Sequence, residues 1–232
     1  MQLYTREWGA GDRVAVLIHG IMADSQCWWR VGPALAERGY RVIAVDLPGH
    51  GRSPRAEDYP VELFASSVLE SVPAGPELAI GHSLGGLTLA AAVERLKPAR
   101  AIYSDPAFRL AAPPPGIDMG DMLARAANLS ADEIAAMHPG FSADEVQVEV
   151  EMLKGWDVRT AHSVAALAGS DFTPPLAVPS LVQAAGDGFL IPAEFAEELR
   201  GRGFEVRVVA GAEHTIHRHV FEAFMEGLDG WI

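Results

Sequence analysis

One serine lies in a pattern that could make it a nucleophile. Residues 81–85 read Gly-His-Ser-Leu-Gly, which places glycines two positions either side of Ser83. A short apolar run precedes this pattern, and a helical pattern over 84–96 follows it. A sharp strand-to-helix turn of this kind strains its serine and leaves room only for small flanking residues. Ser83 is therefore a candidate for attack on a carbonyl carbon, and a glycine-rich turn with a bystander serine is the competing interpretation.

A serine hydroxyl attacks poorly at neutral pH unless a base accepts its proton. His214 is the candidate base, because it lies in the loop after the last predicted strand. His217 and His219 follow closely, and His-x-x-His-x-His is also a possible metal-ligand spacing. Since the pattern has no accompanying cysteine or carboxylate frame, we favour a solvated helix start for both residues and expect no metal site.

The sequence predicts buried strands before Ser83 and before the loop that carries His214. Nearly continuous apolar runs predict strands that are buried on both faces, and helical patterns alternate with them. The predicted strands are 2–8, 13–18, 41–46, 77–80, 99–103, 180–184 and 204–209. The predicted helices that alternate with these strands are 28–38, 59–71, 84–96, 193–200 and 220–228. This alternation predicts an α/β fold in which a mostly parallel sheet is covered by helices on both faces.

The pattern changes between residues 107 and 178. Three helical segments are predicted there, at 118–127, 130–137 and 143–169, and the last two each begin with a Ser-x-x-Glu capping box. We expect residues 107–178 to form a helical cap or lid above the carboxyl edge of the sheet, where open α/β sheets bind ligands. Residues 1–106 and 179–232 would then form the core.

Composition narrows the class of protein. With 232 residues, 49% of them hydrophobic and 21% charged, the chain has the composition of a globular enzyme. Its net charge of −13 argues against nucleic acid or an anionic membrane surface as a partner. The single cysteine excludes an internal disulfide framework, and no secretory leader or membrane-spanning run is visible. We therefore expect a cytoplasmic protein.

Taken together, the motifs resemble those of the α/β-hydrolase fold family. The segments that carry the resemblance are His19-Gly20, the Asp-Leu-Pro-Gly-His-Gly-Arg-Ser run at 46–53, the serine motif at 81–86 and Gly-Ala-Glu-His at 211–214. Their order, with the serine first and the histidine last, is also the order in that family. The resemblance implies a triad of serine, histidine and an acid, with His19, His50 and His82 in structural or supporting positions.

The resemblance leaves two positions open for the acid. The common family position is an Asp four residues before a Pro in the loop after the penultimate strand. Counting back from Pro192 reaches Gly188, with Asp187 one residue out of register. Haloalkane dehalogenases and zearalenone lactonases instead place the acid at the end of the strand that follows the helix after the serine turn. Here that helix is predicted at 84–96, and the strand after it ends at Asp105. We favour Asp105 and keep Asp187 as the alternative.

The resemblance also suggests where the oxyanion and the substrate would bind. Backbone N–H groups of Ile21 and Leu84 would form the oxyanion hole. Met22 would face the acyl site. Trp28 and Trp156 are candidate walls of the substrate pocket, although aromatic residues of this kind are more often plain core.

The expected activity is hydrolysis of a small-molecule carboxylic ester or lactone through an acyl-serine intermediate, without a metal or organic cofactor. Two alternatives stay open. One is a cofactor-free perhydrolase or haloperoxidase-type activity on the same triad, and the other is a ligand-binding receptor on a hydrolase fold. The sequence does not indicate an oligomeric state.

Overall fold

Seven strands form one sheet in the computed structural model, which describes residues 1–186 and 188–232. They are β1 (Thr5–Trp8), β2 (Arg13–Ile18), β3 (Tyr40–Val45), β4 (Leu78–His82), β5 (Arg100–Ser104), β6 (Ser180–Ala185) and β7 (Glu205–Val209). Their order across the sheet is β1-β3-β2-β4-β5-β6-β7, with β1 antiparallel to β3 and the other pairs parallel. The mostly parallel sheet predicted from the alternation is confirmed.

Helices connect most of these strands. They are α1 (Val31–Ala36), α2 (Val61–Ser71), α3 (Leu84–Leu96), α4 (Met119–Arg125), α5 (Ala131–Met137), α6 (Ala143–Gly155), α7 (Arg159–Ala165), α8 (Ala193–Gly201), α9 (Ile216–His219) and α10 (Phe221–Glu226). Short 3₁₀ turns cover Ser25–Trp28 and Ala126–Asn128. The helices α4 to α7 all lie between β5 and β6, so the connection between these two strands is a long helical segment.

Both faces of the sheet are buried, and alternate residues of one strand show why. Val16 and Ile18 of β2 pack in one apolar cluster with side chains from α2, α3 and α8. Ala15 and Leu17 pack in a second cluster with side chains from α1 and α10. Successive side chains of a strand point to opposite faces, so a strand covered on both sides must be apolar throughout. This burial explains the continuous apolar run and confirms the predicted covering by helices.

The two predicted capping boxes form at the starts of α5 and α6. The Ser130 hydroxyl accepts the N–H of Glu133, and the Glu133 carboxylate accepts the N–H of Ser130. Ser142 and Glu145 repeat the same reciprocal pair. These caps satisfy backbone donors that the first helical turn leaves unpaired. The two helices then share a small apolar cluster made of Ile134, Val146, Val150 and Leu153.

The single helix predicted over 143–169 is wrong, because the chain breaks into α6 and α7 at Trp156. Trp156 is extended, with φ −90° and ψ 139°. The Asp157 backbone N–H then donates to the carbonyl oxygen of Gly49 at 2.7 Å, and its buried carboxylate accepts the Tyr59 hydroxyl at 2.7 Å. Arg159 completes the site with an ion pair to the same carboxylate. Partners far along the chain therefore override the local helical preference.

Two other predicted helices are also divided or shortened. The helix expected at 28–38 is a 3₁₀ turn followed by α1, and it ends before Gly39, whose φ of 86° suits a glycine stop. The helix expected at 220–228 is preceded by α9, and Val220, with φ −133° and ψ 61°, separates α9 from α10. These differences fall at helix ends, where local signals are weakest.

Candidate active site

Ser83 occupies the strained turn between β4 and α3. Its backbone has φ 51° and ψ −115°, a region that residues with a side chain seldom adopt. The flanking glycines have no space for a methyl group. A Cβ on Gly81 would collide with the carbonyl oxygen of Gly85, and a Cβ on Gly85 would collide with the backbone of β2. The turn therefore requires the small residues that the sequence pattern supplies.

Asp105 and His214 meet at the carboxyl edge of the sheet. The His214 Nδ1–H donates to Asp105 Oδ2 at 2.6 Å, and Asp105 is completely buried after β5. The other carboxylate oxygen accepts the Ala185 N–H at 3.1 Å, while the Asp105 N–H donates to the Gln183 carbonyl at 2.7 Å. These contacts fix the ring with Nδ1 protonated, which leaves Nε2 as the basic nitrogen. Asp187, the alternative acid, lies outside the described residues.

The loop after β2 lies directly against the serine. A Cβ placed on Gly20 would lie 3.1 Å from Ser83 Cβ, so the backbone at Gly20 and Ile21 passes close to Ser83. Leu84 is the first residue of α3, and the N–H groups of a first helical turn have no partner within the helix. The sequence analysis predicted that the backbone N–H groups of the oxyanion hole come from these two segments, at Ile21 and Leu84.

His19 holds this loop in place. Its Nε2 accepts the Leu47 N–H at 2.8 Å, so the neutral ring must carry its hydrogen on Nδ1, which donates to the Gly20 carbonyl at 2.6 Å. Burial lowers the pKa of His19, although the nearby Asp46 carboxylate acts in the opposite direction. The imidazole thus links the loop after β2 to the loop after β3, which agrees with the supporting position expected from the sequence.

His82 supports the loop that carries the candidate base. Its Nε2–H donates to the backbone carbonyl of His214 at 3.0 Å, and the two ring centres are 4.7 Å apart. Burial, reinforced by His214 and His217, lowers the pKa of His82 well below its usual value. A neutral His82 keeps one N–H for this carbonyl and brings no charge next to His214.

The three histidines of the His-x-x-His-x-His spacing point to different partners. His214 contacts Asp105, whereas His217 is buried and stacks on Trp28 with ring centres 4.3 Å apart. Within the described residues neither ring nitrogen of His217 has a hydrogen-bond partner. His219 contacts His138 in the helical segment at 3.1 Å. The metal spacing considered from the sequence therefore does not bring these three side chains to one point.

Acid should destabilise the fold through its buried histidines. Burial lowers the pKa of His50 to about 3 and those of His82 and His217 well below normal. In the unfolded chain these rings take up protons below about pH 6.5, while the folded rings stay neutral. The free energy of unfolding should thus fall as the pH drops from about 6.5 to 5, by up to about 1.4 kcal/mol per pH unit for each histidine.

Urea denaturation at about pH 7.5, 6 and 5 measures this dependence. His217→Phe is the matched variant, because an aromatic ring can replace the imidazole against Trp28 and Phe224. We expect the variant to lose the contribution of His217 to the slope, while the other buried histidines keep theirs. Equal stability of the wild-type protein at pH 7.5 and 5 would contradict this account.

Two cavities meet at Ser83. The apolar cavity has a volume of about 770 Å³ and the smaller cavity about 360 Å³. Ile21, Met22, Ser83 and His214 line both of them, so Met22 lies in the same cavity walls as Ser83. The apolar cavity is further lined by Leu110, Met119, Met122, Leu123, Val164 and Phe195. The smaller cavity is further lined by the polar residues His82, His138, Glu149, Glu213, His217 and Arg218 and by the apolar residues Leu129, Ile134, Met137, Phe141 and Leu153.

The two tryptophans predicted as pocket walls are packed elsewhere. Trp28 is completely buried in the cluster below the sheet and stacks on His217. Trp156 is buried at the break between α6 and α7, where its indole N–H donates to the Thr160 hydroxyl and its ring faces His50. Among the described residues lining the two cavities, neither indole occurs. The structure thus gives both a core position, which corrects the pocket-wall prediction for each.

Sequence reasoning missed a charged corner of the apolar cavity. Arg109 donates to Asp171 at 2.8 Å and to Glu198 at 2.6 Å, and its guanidinium lies 4.1 Å from the centre of the Phe195 ring. Phe189, with its ring centre 5.9 Å from that of His214, was also missed. These residues come from three separate segments without a local motif, so only the folded chain brings them together.

In the part of the chain that the structure describes, no helix has the length and apolarity that a membrane crossing requires.

The fold itself has close counterparts among solved structures. An esterase from Exiguobacterium antarcticum superposes with a TM-score of 0.79 at 20% identity, covering 99% of this chain and 94% of that one. The enol-lactonase from Burkholderia xenovorans gives a TM-score of 0.75 at 20% identity, covering 99% and 95%.

Curated relatives match over shorter stretches. The pimeloyl-[acyl-carrier protein] methyl ester esterase of Methylococcus capsulatus is 42% identical over 87 residues, which cover 38% of this chain and 33% of the relative. Methylesterase 1 of Arabidopsis thaliana is 40% identical over 89 residues, covering 34% and 33%. The matched stretches therefore span about a third of the length of these relatives.

A family-level comparison covers much more of the chain. Residues 15–226, from β2 to the end of α10, match the sequence profile of the alpha/beta hydrolase family. This range includes the serine turn, the loop at Gly20 and the loop that carries His214. The chain belongs to the alpha/beta hydrolase family.

Proposed function

We propose that this protein is a serine hydrolase that cleaves a carboxylic ester or lactone through an acyl-Ser83 intermediate. The observation that carries the proposal is the 2.6 Å contact between His214 Nδ1 and Asp105 Oδ2, formed where His214 and Ser83 line the same cavities. A buried carboxylate that orients an imidazole beside a strained serine is the arrangement required for nucleophilic acyl transfer.

In the first step, His214 Nε2 accepts the proton of the Ser83 hydroxyl as its oxygen adds to the substrate carbonyl carbon. The resulting imidazolium is stabilised by the buried Asp105 carboxylate, which holds Nδ1–H. His214 then protonates the leaving alkoxide, and the acyl-enzyme forms. A water molecule, activated by the same nitrogen, attacks the acyl carbon and releases the acid together with free Ser83.

The tetrahedral oxygen requires hydrogen-bond donors that are fixed before the reaction. We assign this role to the backbone N–H groups of Ile21 and Leu84. His19 supports the assignment, because its hydrogen bond to the Gly20 carbonyl orients the peptide that bears the Ile21 N–H. Leu84 supplies the second donor from the start of α3.

The two cavities suggest the shape and charge of the substrate. We assign an uncharged apolar substituent to the apolar cavity, because the single Arg109 there is already shared by Asp171 and Glu198. That corner carries more negative than positive charge, so an anionic substituent would be repelled. The smaller group would then enter the smaller cavity. In this proposal the segment 107–178 acts as the lid, since its side chains line both cavities.

The matched relatives favour esters. Two of them are named as esterases acting on methyl esters or as methylesterases, and cleavage of such a bond needs only the groups assigned above. Lactone cleavage uses the same chemistry and is kept within the proposal. The perhydrolase and receptor alternatives stay predictions, and peroxide-dependent bromination or tight binding without turnover would distinguish them.

A fluorophosphonate tests the proposal most directly, because it phosphonylates only an activated serine. Intact mass after treatment should show one adduct on the wild-type protein and none on Ser83→Ala. A panel of neutral esters and lactones should then be hydrolysed by the wild type alone.

Absence of an adduct on the folded wild-type protein would overturn the proposal, as would an adduct that persists in Ser83→Ala. Ser104→Ala is the matched control, since Ser104 is a buried serine at the end of β5 and lies outside the described linings of both cavities. This control should label as the wild type does.

A further inference from the structure

Three potential metal ligands from distant parts of the chain converge beside the smaller cavity. His138 follows α5, Glu213 directly precedes His214, and His219 ends α9. His138 Nδ1 lies 3.1 Å from His219 Nε2, and His219 Nδ1 lies 3.1 Å from Glu213 Oε2. One ligand atom of each residue lies within 4.8 Å of the other two. The cluster therefore joins the helical segment to the loop of the candidate base.

The spacing of the two imidazoles suits a transition-metal ion. Two nitrogens bound to one tetrahedral Zn²⁺ at about 2.0 Å lie about 3.3 Å apart. The observed separation between His138 Nδ1 and His219 Nε2 is close to that value. Imidazole nitrogens are ligands that such ions prefer. An ion between these nitrogens would replace the proton that they share in the hydrogen bond.

Glu213 fits as the residue that orients a ligand. Metal-bound histidines commonly donate their second ring N–H to a carboxylate, which fixes the ring and makes it a stronger ligand. Glu213 Oε2 is positioned to accept that hydrogen from His219 Nδ1. Its carboxylate also contributes negative charge, which favours a cation at this position.

Packing already holds both rings in the geometry that binding requires. Phe141 stacks on His138 with ring centres 4.6 Å apart and meets His219 edge-on at 5.7 Å. The His219 side chain is only 16% exposed. Arg218 is the nearby cation, but its ion pair with Glu149 offsets its repulsion of a metal. Little side-chain freedom would therefore be lost on binding.

We propose that His138 and His219, with Glu213 as the orienting carboxylate, bind a divalent transition-metal ion that clamps the end of α5 to the loop of His214. This site differs from the His-x-x-His-x-His spacing in the sequence, because His138 replaces His214 and His217. If the proposed hydrolase function holds, the metal-bound protein, with its His214 loop clamped, should also hydrolyse its ester substrate more slowly.

Calorimetric titration of metal-free protein with ZnCl₂ tests the binding. We expect one Zn²⁺ per chain for the wild type and an affinity at least about tenfold weaker for His138→Ala and His219→Ala. Glu213→Gln should weaken binding by about tenfold through loss of the orienting carboxylate. His162→Ala is the matched control, since it removes the histidine of an exposed cluster with Asp118 and Asp121 and should leave this binding unchanged.

Diffraction from wild-type crystals grown with Zn²⁺ gives a test that needs no variant. An anomalous peak between the His138 and His219 rings would support the proposal. A peak elsewhere, no saturable binding, or unchanged affinity in both histidine variants would overturn it. Since these readouts do not depend on ester hydrolysis, failure of the hydrolase proposal would be recognised separately, by unlabelled Ser83 in a protein that still binds Zn²⁺.

Discussion

Asp105→Asn is expected to lower kcat by about 10⁴-fold while changing KM little. The buried Asp105 carboxylate accepts the Nδ1–H of His214 at 2.6 Å and so fixes which nitrogen faces the serine. An asparagine amide can donate its own N–H to Nδ1, which moves the ring hydrogen to Nε2. His214 would then have no lone pair with which to accept the Ser83 proton. Steady-state kinetics on an ester that the wild type hydrolyses would measure the loss.

Asp187→Asn is the matched control for this experiment. Because His214 Nδ1 already has a carboxylate partner in Asp105, we expect the control to retain kcat within a few fold of the wild type. The reverse ranking of the two variants would assign the acid to Asp187 and contradict our proposal. Circular dichroism of both variants would show whether the fold is retained.

Gly85→Ala is expected to destabilise the protein by about 3 kcal/mol or more, or to prevent folding. A Cβ on Gly85 would collide with the carbonyl oxygens of Ile18 and His19, which belong to the rigid sheet and its following loop. Backbone atoms cannot move aside as the end of a flexible side chain can. The free energy of unfolding, measured by urea denaturation, should reveal the loss.

Gly201→Ala makes the same chemical change where space is open. No atom lies within 4 Å of the position that its Cβ would take, and Gly201 is the last residue of α8. Alanine there should cost nothing and is expected to stabilise the protein by up to about 1 kcal/mol, since glycine is a poor helix former. Equal effects of the two substitutions would show that the turn at Ser83 tolerates a methyl group on Gly85.

Much of the fold could be predicted because its signals are local. A run such as 13–18 is apolar at every position since both faces of the strand are covered, and that burial leaves a readable pattern. The capping boxes at Ser130 and Ser142 likewise act within one helical turn. For the same reason, the turn at Ser83 is predictable from the two glycines that must accompany it.

The predictions from the sequence fail where the local structure depends on contacts between residues that are far apart along the chain. The break between α6 and α7 depends on Tyr59 and Gly49, which contact Asp157 from about a hundred residues earlier. Nothing in the local sequence around Trp156 marks these partners. The contact of His138 with His219 is equally long-range. A pattern in one stretch of chain indicates burial, but it does not indicate which distant residue provides it.

The position of Asp105 also has a consequence for how such a chain can diversify. Ser83 and Asp105 lie on one uninterrupted unit, β4 through β5, while residues 107–178 follow both of them. Changes in the length or sequence of that segment therefore cannot alter the number of residues between the proposed nucleophile and the proposed acid. Of Ser83, Asp105 and His214, only His214 has a position that depends on how the chain re-enters the sheet at β6. Under the proposed function, whole segments between β5 and β6 could be exchanged among relatives to acquire new substrates, while Ser83 and Asp105 keep their alignment.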